Sequence, residues 1–137
     1  MDLGDPFAAC TAALEELRAG QKRTHWMWFI FPQLRGLGLS PAANFYGISS
    51  TAEAEAYLQH AILGPRLIEC TEAVLALQTS SPRSVFRSPD DQKFWSSMTL
   101  FSMAAGQSAS VYSRALGRFF EGHRDPGTLA QLARPGS

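Results

Sequence analysis

Prolines mark the starts of segments along this chain, and their placement restricts the fold more than any other feature of the sequence. Six of the eight prolines follow an aspartate, a serine or a glycine, residues that cap a helix or permit a sharp entry into one. The six pairs are Asp5-Pro6, Ser40-Pro41, Gly64-Pro65, Ser81-Pro82, Ser88-Pro89 and Asp125-Pro126. Proline is tolerated at the first helical position because its missing N–H would have no partner there. The pattern predicts an all-α fold.

Apolar residues recur at steps of three and four between these starts, which is the period of an amphipathic helix. The first helix is predicted to run from Asp5-Pro6 to Gly20, and Ser50 with Glu53 has the spacing of a capping box. Further helices are predicted to begin at Ser40, Gly64, Ser88, Ser108 or Ser110, and Asp125. We therefore expect a compact bundle of about seven to eight short helices.

The run His25–Phe31, HWMWFIF, is the most aromatic part of the chain. Its residue types alone would favour a strand. No other segment alternates clearly enough to pair with it, and an unpaired strand would leave its backbone polar groups unsatisfied. We predict a short buried helix that Thr24 caps and Pro32 stops.

The length of 137 residues suits one domain, spanning 1–137 with tails at 1–4 and 134–137. A composition of 45% hydrophobic and 18% charged residues argues against disorder. No segment approaches the ~20 apolar residues of a membrane span, and the N-terminal sequence lacks the regions of a signal peptide. We expect no membrane partner and a cytoplasmic location. Cys10 and Cys70 lie among apolar helical positions, so we expect buried, reduced thiols rather than a disulfide.

Twelve basic and twelve acidic residues cancel, so no overall field would attract nucleic acid, and no nucleic-acid partner is expected. The charges are nevertheless uneven, because no acidic residue occurs between Leu17 and Ala52. That window holds Arg18, Lys22, Arg23, Arg35 and His25. Either it binds an anionic small molecule, or its cations are solvated at the C-terminal end of a helix.

Two polar clusters on aromatic backgrounds form the candidate site. The first surrounds Trp26 and Trp28 and consists of Lys22, Arg23, His25, Gln33 and Arg35. The second opens a predicted helix and consists of Asp90, Asp91, Lys93, Ser96, Ser97 and Thr99. Helical geometry places Asp90, Lys93 and Ser97 along one side, next to an apolar stripe.

Each residue of these clusters also has a purely structural interpretation. The two aspartates could cap the helix and favour its dipole, Lys93 could pair with one of them, and the hydroxyls could bond to carbonyls one turn earlier. Trp26, Trp28 and His25 could belong to the core. Gln33 is harder to explain structurally, because an amide in aromatic surroundings needs hydrogen-bond partners.

Several other chemistries lack their sequence signatures. No HExxH or CxxC spacing accompanies the three histidines, so we expect no metal site. GxSxG, Walker and GxGxxG sequences are absent, and we expect no cofactor.

Two long motifs resemble the bacterial family known as domain of unknown function 1810, whose members often carry the automatic label calpastatin. The first is Lys22–Gln33 with Gly36, Gly38 and Ser40, and the second is Ser88–Lys93 with Ser96–Phe101. Shorter matches are Tyr57-Leu58, Leu63-Gly64, Asp125 and Thr128-Leu129. The resemblance implies a compact multihelical cytoplasmic protein and implies no activity. Family members usually have a longer first helix with an Ala-Gln pair, which this chain lacks.

The residues themselves lead to a functional hypothesis, in which a pocket lies where Lys22–Gln33 meets Asp90–Lys93. Lys22, with Arg23 or Arg35, would hold a phosphate or carboxylate, and Trp26 or Trp28 would stack on a ring. Gln33 and His25 would hydrogen-bond the ligand, Lys93 and Ser97 would also contact it, and Asp90 or Asp91 would act as general base or stabilise a developing cation. Such a ligand would be a nucleotide or nucleoside phosphate, and the reaction could be hydrolysis of its N-glycosidic bond.

Two other hypotheses stay open at this point, and with them whether the protein is an enzyme. In one, exposed rings of the stretch Gly20–Ser40, called the opening stretch below, bind a protein partner or a second copy of the chain. The protein would then be a monomer or a homodimer. In the other, both clusters only specify the fold through buried hydrogen bonds.

Overall fold

The computed structural model describes residues 6–37, 41, 46–106 and 110–133. Within these residues it contains eight helices and no strand, which confirms the predicted all-α class. The helices are α1 Pro6–Arg18, α2 Met27–Ile30, α3 Thr51–Gln59, α4 Leu63–Leu75, α5 Pro82–Phe86, α6 Asp90–Ala105, α7 Val111–Phe120 and α8 Pro126–Leu132. The turn of helix predicted from Ser40 to Gly47 falls largely outside the described residues.

Side-chain caps begin four of these helices where the sequence predicts them. Each cap accepts a hydrogen bond from a backbone N–H in the first turn, where no carbonyl of the helix can serve as the acceptor. The pairs are Ser50 with Glu53, Ser81 with Ser84, Ser110 with Ser113, and Asp125 with Gly127.

Two predicted caps are wrong. Thr24 does not cap α2, which begins at Met27 without a side-chain cap, because the Thr24 hydroxyl donates instead to Glu16. Ser88 does not cap α6, since the residue before that helix is Pro89. The Asp91 N–H already donates to the carbonyl of Arg87 at 2.9 Å, so no side chain is needed there.

Helix α6 is the centre of the bundle and packs against α3, α5, α7 and α8. Phe94, in its second turn, is fully buried and contacts rings from three other segments. The ring centroids lie 4.6 Å away at Phe86, 5.0 Å at Phe31 and 6.1 Å at Phe119, distances typical of favourable aromatic pairs. This aromatic centre fixes α2, α5 and α7 around one end of α6.

A parallel bridge between Leu34 and Ile48 fixes the chain beyond Pro32. The Ile48 N–H donates to the carbonyl of Gln33 at 2.9 Å, and the Arg35 N–H donates to the carbonyl of Ile48 at 2.8 Å. These two bonds tie the segment that follows α2 to the segment that precedes α3, and so determine where Gln33 lies.

A matched pair of glycines tests the packing of α4. A Cβ at Gly64 would lie 2.2 Å from the carbonyl oxygen of Leu58, whereas a Cβ at Gly117 would meet nothing within 4 Å. We expect Gly64→Ala to lower the free energy of unfolding by about 2–3 kcal/mol through overpacking. Gly117→Ala should raise it by about 0.5–1 kcal/mol, because alanine favours a helix interior. Urea denaturation of both variants measures the difference, and equal effects would contradict the close approach at Gly64.

Candidate functional site

The two polar clusters come together in space. The Lys22 ammonium lies 2.9 Å from a carboxylate oxygen of Asp90, and the Lys22 backbone N–H donates to the carbonyl of Val85 at 2.7 Å. The segment after α1 is therefore held both by α5 and by the first residue of α6.

Asp90 lies between the two lysines of the chain. Lys93, one turn further along α6, places its ammonium 3.7 Å from the other Asp90 oxygen. The Lys22 side chain is only 8% exposed; its ammonium also donates to the carbonyl of Thr24 at 2.6 Å and lies 5.2 Å from the centre of the Trp26 ring. Lys22 is fully engaged within the protein, whereas Lys93 is held loosely.

Glu16, near the end of α1, organises the segment that carries Lys22. Its carboxylate accepts the backbone N–H groups of Arg23 and Thr24 at 2.6 and 2.9 Å, the Thr24 hydroxyl at 2.5 Å and the Trp26 indole N–H at 3.0 Å. Burial raises the pKa of Glu16, but these hydrogen bonds outweigh that effect and leave the pKa below its ordinary value. The acceptor is thus a carboxylate at neutral pH.

A narrow cleft opens beside this ion pair and is lined by Trp28, Phe31, Gln33 and Lys93. It offers about 10 Å³ to the centre of a water-sized sphere, which is room for one water molecule. Gln33 is 8% exposed, and among the described residues its side-chain amide makes no hydrogen bond. Neither of its amide atoms is a buried atom without a partner, and the side chain lines the cleft.

Two residues of the second cluster have oxygen atoms without a hydrogen-bond partner among the described residues. The Ser97 hydroxyl and one carboxylate oxygen of Asp91 are buried without a hydrogen bond in the described part of the chain. Ser96 and Thr99, by contrast, are satisfied structurally, since Ser96 donates to Asp125 at 2.5 Å and Thr99 donates to the carbonyl of Trp95 at 2.9 Å.

The remaining predicted residues lie outside the cleft. Trp26 belongs to the core, and His25 is exposed. Arg23 is exposed and reaches Gln21 at 3.5 Å, while Arg35 is exposed and donates to the carbonyl of Gly47 at 3.3 Å. The cleft therefore brings together Trp28, Gln33 and Lys93, with Lys22 and Asp90 behind Lys93.

Glu16 is the residue that the sequence analysis missed. A signal for it exists, because Glu16 is the last acidic residue before the long window without carboxylates. For the donors of Arg23, Thr24 and Trp26, Glu16 is the nearest carboxylate along the chain.

A second, wider hollow lies between Trp95 of α6 and the start of α8. It is open to solvent, encloses about 530 Å³, and is lined by Trp95, Gly122, His123, Arg124, Pro126 and Leu129. The Trp95 indole N–H already donates to the carbonyl of His123 at 2.8 Å. We favour the small cleft as the functional site despite its size, because Gln33 and Lys93, one from each polar cluster, both line it.

Metal binding and membrane spanning find no support in the described residues. They contain no group of three or more histidine, cysteine or acidic side chains placed to hold a metal ion. None of the helices described is long and apolar enough to cross a bilayer.

The ion pair of Lys22 and Asp90 should contribute more to stability than an exposed pair elsewhere. Asp90→Asn leaves a nearly buried ammonium without an opposing charge, and we expect a loss of about 2–3 kcal/mol in the free energy of unfolding. The control is Glu69→Gln, which breaks the pair of Arg18 and Glu69, whose side chains are 64% and 57% exposed. That change should cost less than about 0.5 kcal/mol. Chemical denaturation compares the two, and equal losses would refute the structural role of Asp90.

Glu16 should make stability depend on pH. Because its pKa is lowered in the folded state, its contribution is present above the ordinary value of 4.5 and disappears as the pH falls through the folded-state value. We expect Glu16→Gln to destabilise the protein at neutral pH and to lose that effect in acid. Exposed Glu15 provides the control Glu15→Gln. A difference between wild type and Glu16→Gln that stays constant in thermal melts from neutral to acidic pH would contradict the role of the carboxylate.

Comparison with known proteins places the chain in a family. A family model described as "Protein of unknown function (DUF1810)" matches residues 7–132. The crystal structure of the conserved hypothetical protein Rv1873 from Mycobacterium tuberculosis is similar, with a TM-score of 0.85, 49% sequence identity, and coverage of 97% of this chain and 99% of that chain. No curated protein matches the sequence. The chain therefore belongs to the DUF1810 family of proteins of unknown function.

Proposed function

We propose that the cleft beside Lys93 binds a small anionic molecule that carries a planar ring. The observation that carries this proposal is the Gln33 amide, which lines the cleft beside Lys93 and makes no hydrogen bond to a described residue. The Gln33 residue is only 8% exposed, yet neither of its amide atoms is a buried atom without a partner. A ligand in the cleft could accept a hydrogen bond from the amide N–H or donate one to its oxygen.

Lys93 supplies the positive charge for the ligand. At 3.7 Å from Asp90 its ammonium is beyond ordinary hydrogen-bond length, and its side chain is 25% exposed. Its N–H groups are therefore available to an anion at the cleft. Lys22 already donates to Asp90 and Thr24, so in this proposal it supports the site and Lys93 holds the anion.

The size of the cleft determines how the ligand would lie. Space for one water-sized group admits a single oxygen of a phosphate or carboxylate and excludes a ring. The ring would rest on Trp28, which is partly exposed at the mouth of the cleft, since indole faces stack well on planar groups. A nucleotide or nucleoside phosphate combines the two features.

Asp91 is the candidate for chemistry on such a ligand. One of its oxygens has no hydrogen bond in the described residues, whereas Asp90 is neutralised by two ammonium groups. In hydrolysis of an N-glycosidic bond, the bond from the sugar to the base breaks, water adds to the sugar carbon, and the released base takes up a proton. A carboxylate would accept the proton of the attacking water and stabilise the positive charge that develops on the sugar.

Thermal-shift measurements test the binding proposal. Wild-type protein is melted with nucleoside monophosphates and sugar phosphates, because a ligand that binds only the folded state adds about 2.7 kcal/mol at a hundredfold excess over Kd. We expect Gln33→Ala and Lys93→Ala to lower the affinity at least about tenfold, equivalent to 1.4 kcal/mol. Gln92→Ala is the control, since Gln92 is an exposed glutamine next to Lys93.

The outcomes separate binding from catalysis. Stabilisation that survives Gln33→Ala and Lys93→Ala unchanged, or no stabilisation by any of these ligands, would refute the binding proposal. If a ligand binds, incubation followed by chromatography for free base tests hydrolysis, and Asp91→Asn should abolish release while leaving the thermal shift in place. Release that Asp91→Asn does not alter would refute the catalytic role of Asp91.

The alternative of a protein-interaction module finds less support. That hypothesis requires exposed rings in the opening stretch, yet Trp26 and Phe31 are buried in the core and Trp28 and Phe29 are only partly exposed. No flat apolar patch is therefore present among the described residues of that stretch.

A further inference from the structure

The two cysteines of the chain lie on facing helices. Cys10 shares one stripe of α1 with Ala13 and Leu17, at steps of three and four. Cys70 shares the buried stripe of α4 with Leu67 and Val74. Because α1 and α4 pack directly on each other, both thiols belong to the same interface although sixty residues separate them.

The environments of the two thiols differ. Cys70 is fully buried, whereas Cys10 is partly exposed at the edge of the core. Burial, together with the charge of the neighbouring Cys10, raises the pKa of the Cys70 thiol to about 12. Since only the thiolate is a good nucleophile, Cys70 cannot react first with an oxidant, and Cys10 is the thiol that an oxidant can reach.

Arg66 adds a positive charge to this cluster. It lies on α4 one turn before Cys70, and its guanidinium Nε is buried without a hydrogen bond in the described residues. The charge acts on Cys70 and partly opposes the effect of burial. A cation beside a buried thiol helps that thiol to give up its proton when it attacks another sulfur.

We propose that Cys10 and Cys70 form a reversible disulfide that links α1 to α4 when the protein meets a peroxide. In the first step the Cys10 thiolate attacks one peroxide oxygen, the O–O bond breaks, and hydroxide leaves and takes up a proton as water. Cys10 is then a sulfenic acid. In the second step the Cys70 sulfur attacks the Cys10 sulfur, the S–O bond breaks, and hydroxide leaves with the Cys70 proton as a second water. The two thiols supply the two electrons that reduce the peroxide.

Peptide mapping of the wild-type chain tests this directly. Purified reduced protein is treated with one equivalent of hydrogen peroxide, alkylated under denaturing conditions, and digested with trypsin without reductant. We expect a linked pair of peptides, residues 1–18 and 67–83, lighter than the sum of the two by two hydrogen atoms and separated by dithiothreitol. Disulfide-linked dimers, or alkylation of both thiols after peroxide, would overturn the proposal.

Single variants test the order of the two steps. Cys70→Ser should leave Cys10 as a sulfenic acid that dimedone labels after peroxide, whereas Cys10→Ser should leave Cys70 unlabelled, because it is buried. Label on Cys70 in folded Cys10→Ser protein would overturn the assigned order. Thermal melting establishes that each variant is folded, and the peptide map of the wild type holds independently of both variants.

Discussion

The ion pair between Lys22 and Asp90 is the interaction on which the candidate site depends. It joins two segments that are separated in sequence by α2–α5, and it lies where the side chain of Lys22 has almost no access to water. Removing a charge from water is costly, and the cost is recovered only when the opposing charge and further acceptors are well placed. In this site the opposing charge and the acceptors are well placed, because the carbonyl of Thr24 and the face of Trp26 also contact the Lys22 ammonium. Any movement of the segment after α1 would leave this charge unpaired, so the position of α6 relative to that segment is tightly specified.

Glu16 complements this arrangement from the other side. The stretch from Arg23 to Trp26 has no regular structure, and the Glu16 carboxylate accepts the backbone N–H groups of Arg23 and Thr24 together with the Trp26 indole N–H. One carboxylate thus replaces the backbone acceptors that a helix would have provided. Glu16 orients Trp26 into the core, and the chain that continues from Trp26 carries Trp28 and Phe31 to the cleft. A carboxylate outside the cleft therefore determines the shape of its wall.

The sequence was sufficient for features that depend on neighbouring residues and insufficient for those that depend on the fold. Ser50, Ser81, Ser110 and Asp125 cap the predicted helices, because a cap and the backbone N–H that donates to it lie within one turn. Thr24 also carries a hydroxyl but does not act as a cap, since that hydroxyl donates to Glu16 of α1. The meeting of the two polar clusters was also correctly predicted. Which of the two tryptophans is buried could not be predicted from the sequence, because Trp26 and Trp28 differ only in the surroundings that tertiary packing gives them.

The polar groups of the interior are not equivalent, and the difference supports the role proposed for Gln33. The hydroxyls of Tyr57 and Tyr112 lack hydrogen bonds in the described residues, but Tyr57 packs on Phe101 and so does Tyr112, so their rings offset the cost of an unpaired hydroxyl by burying apolar surface. Gln33 has no comparable apolar body. Its side chain ends in an amide that both donates and accepts, in a site where aliphatic side chains would pack at lower cost. The amide lies in the wall of the cleft, where a bound molecule can hydrogen-bond to its oxygen and its nitrogen, and this position is what makes Gln33 the centre of the proposed binding site.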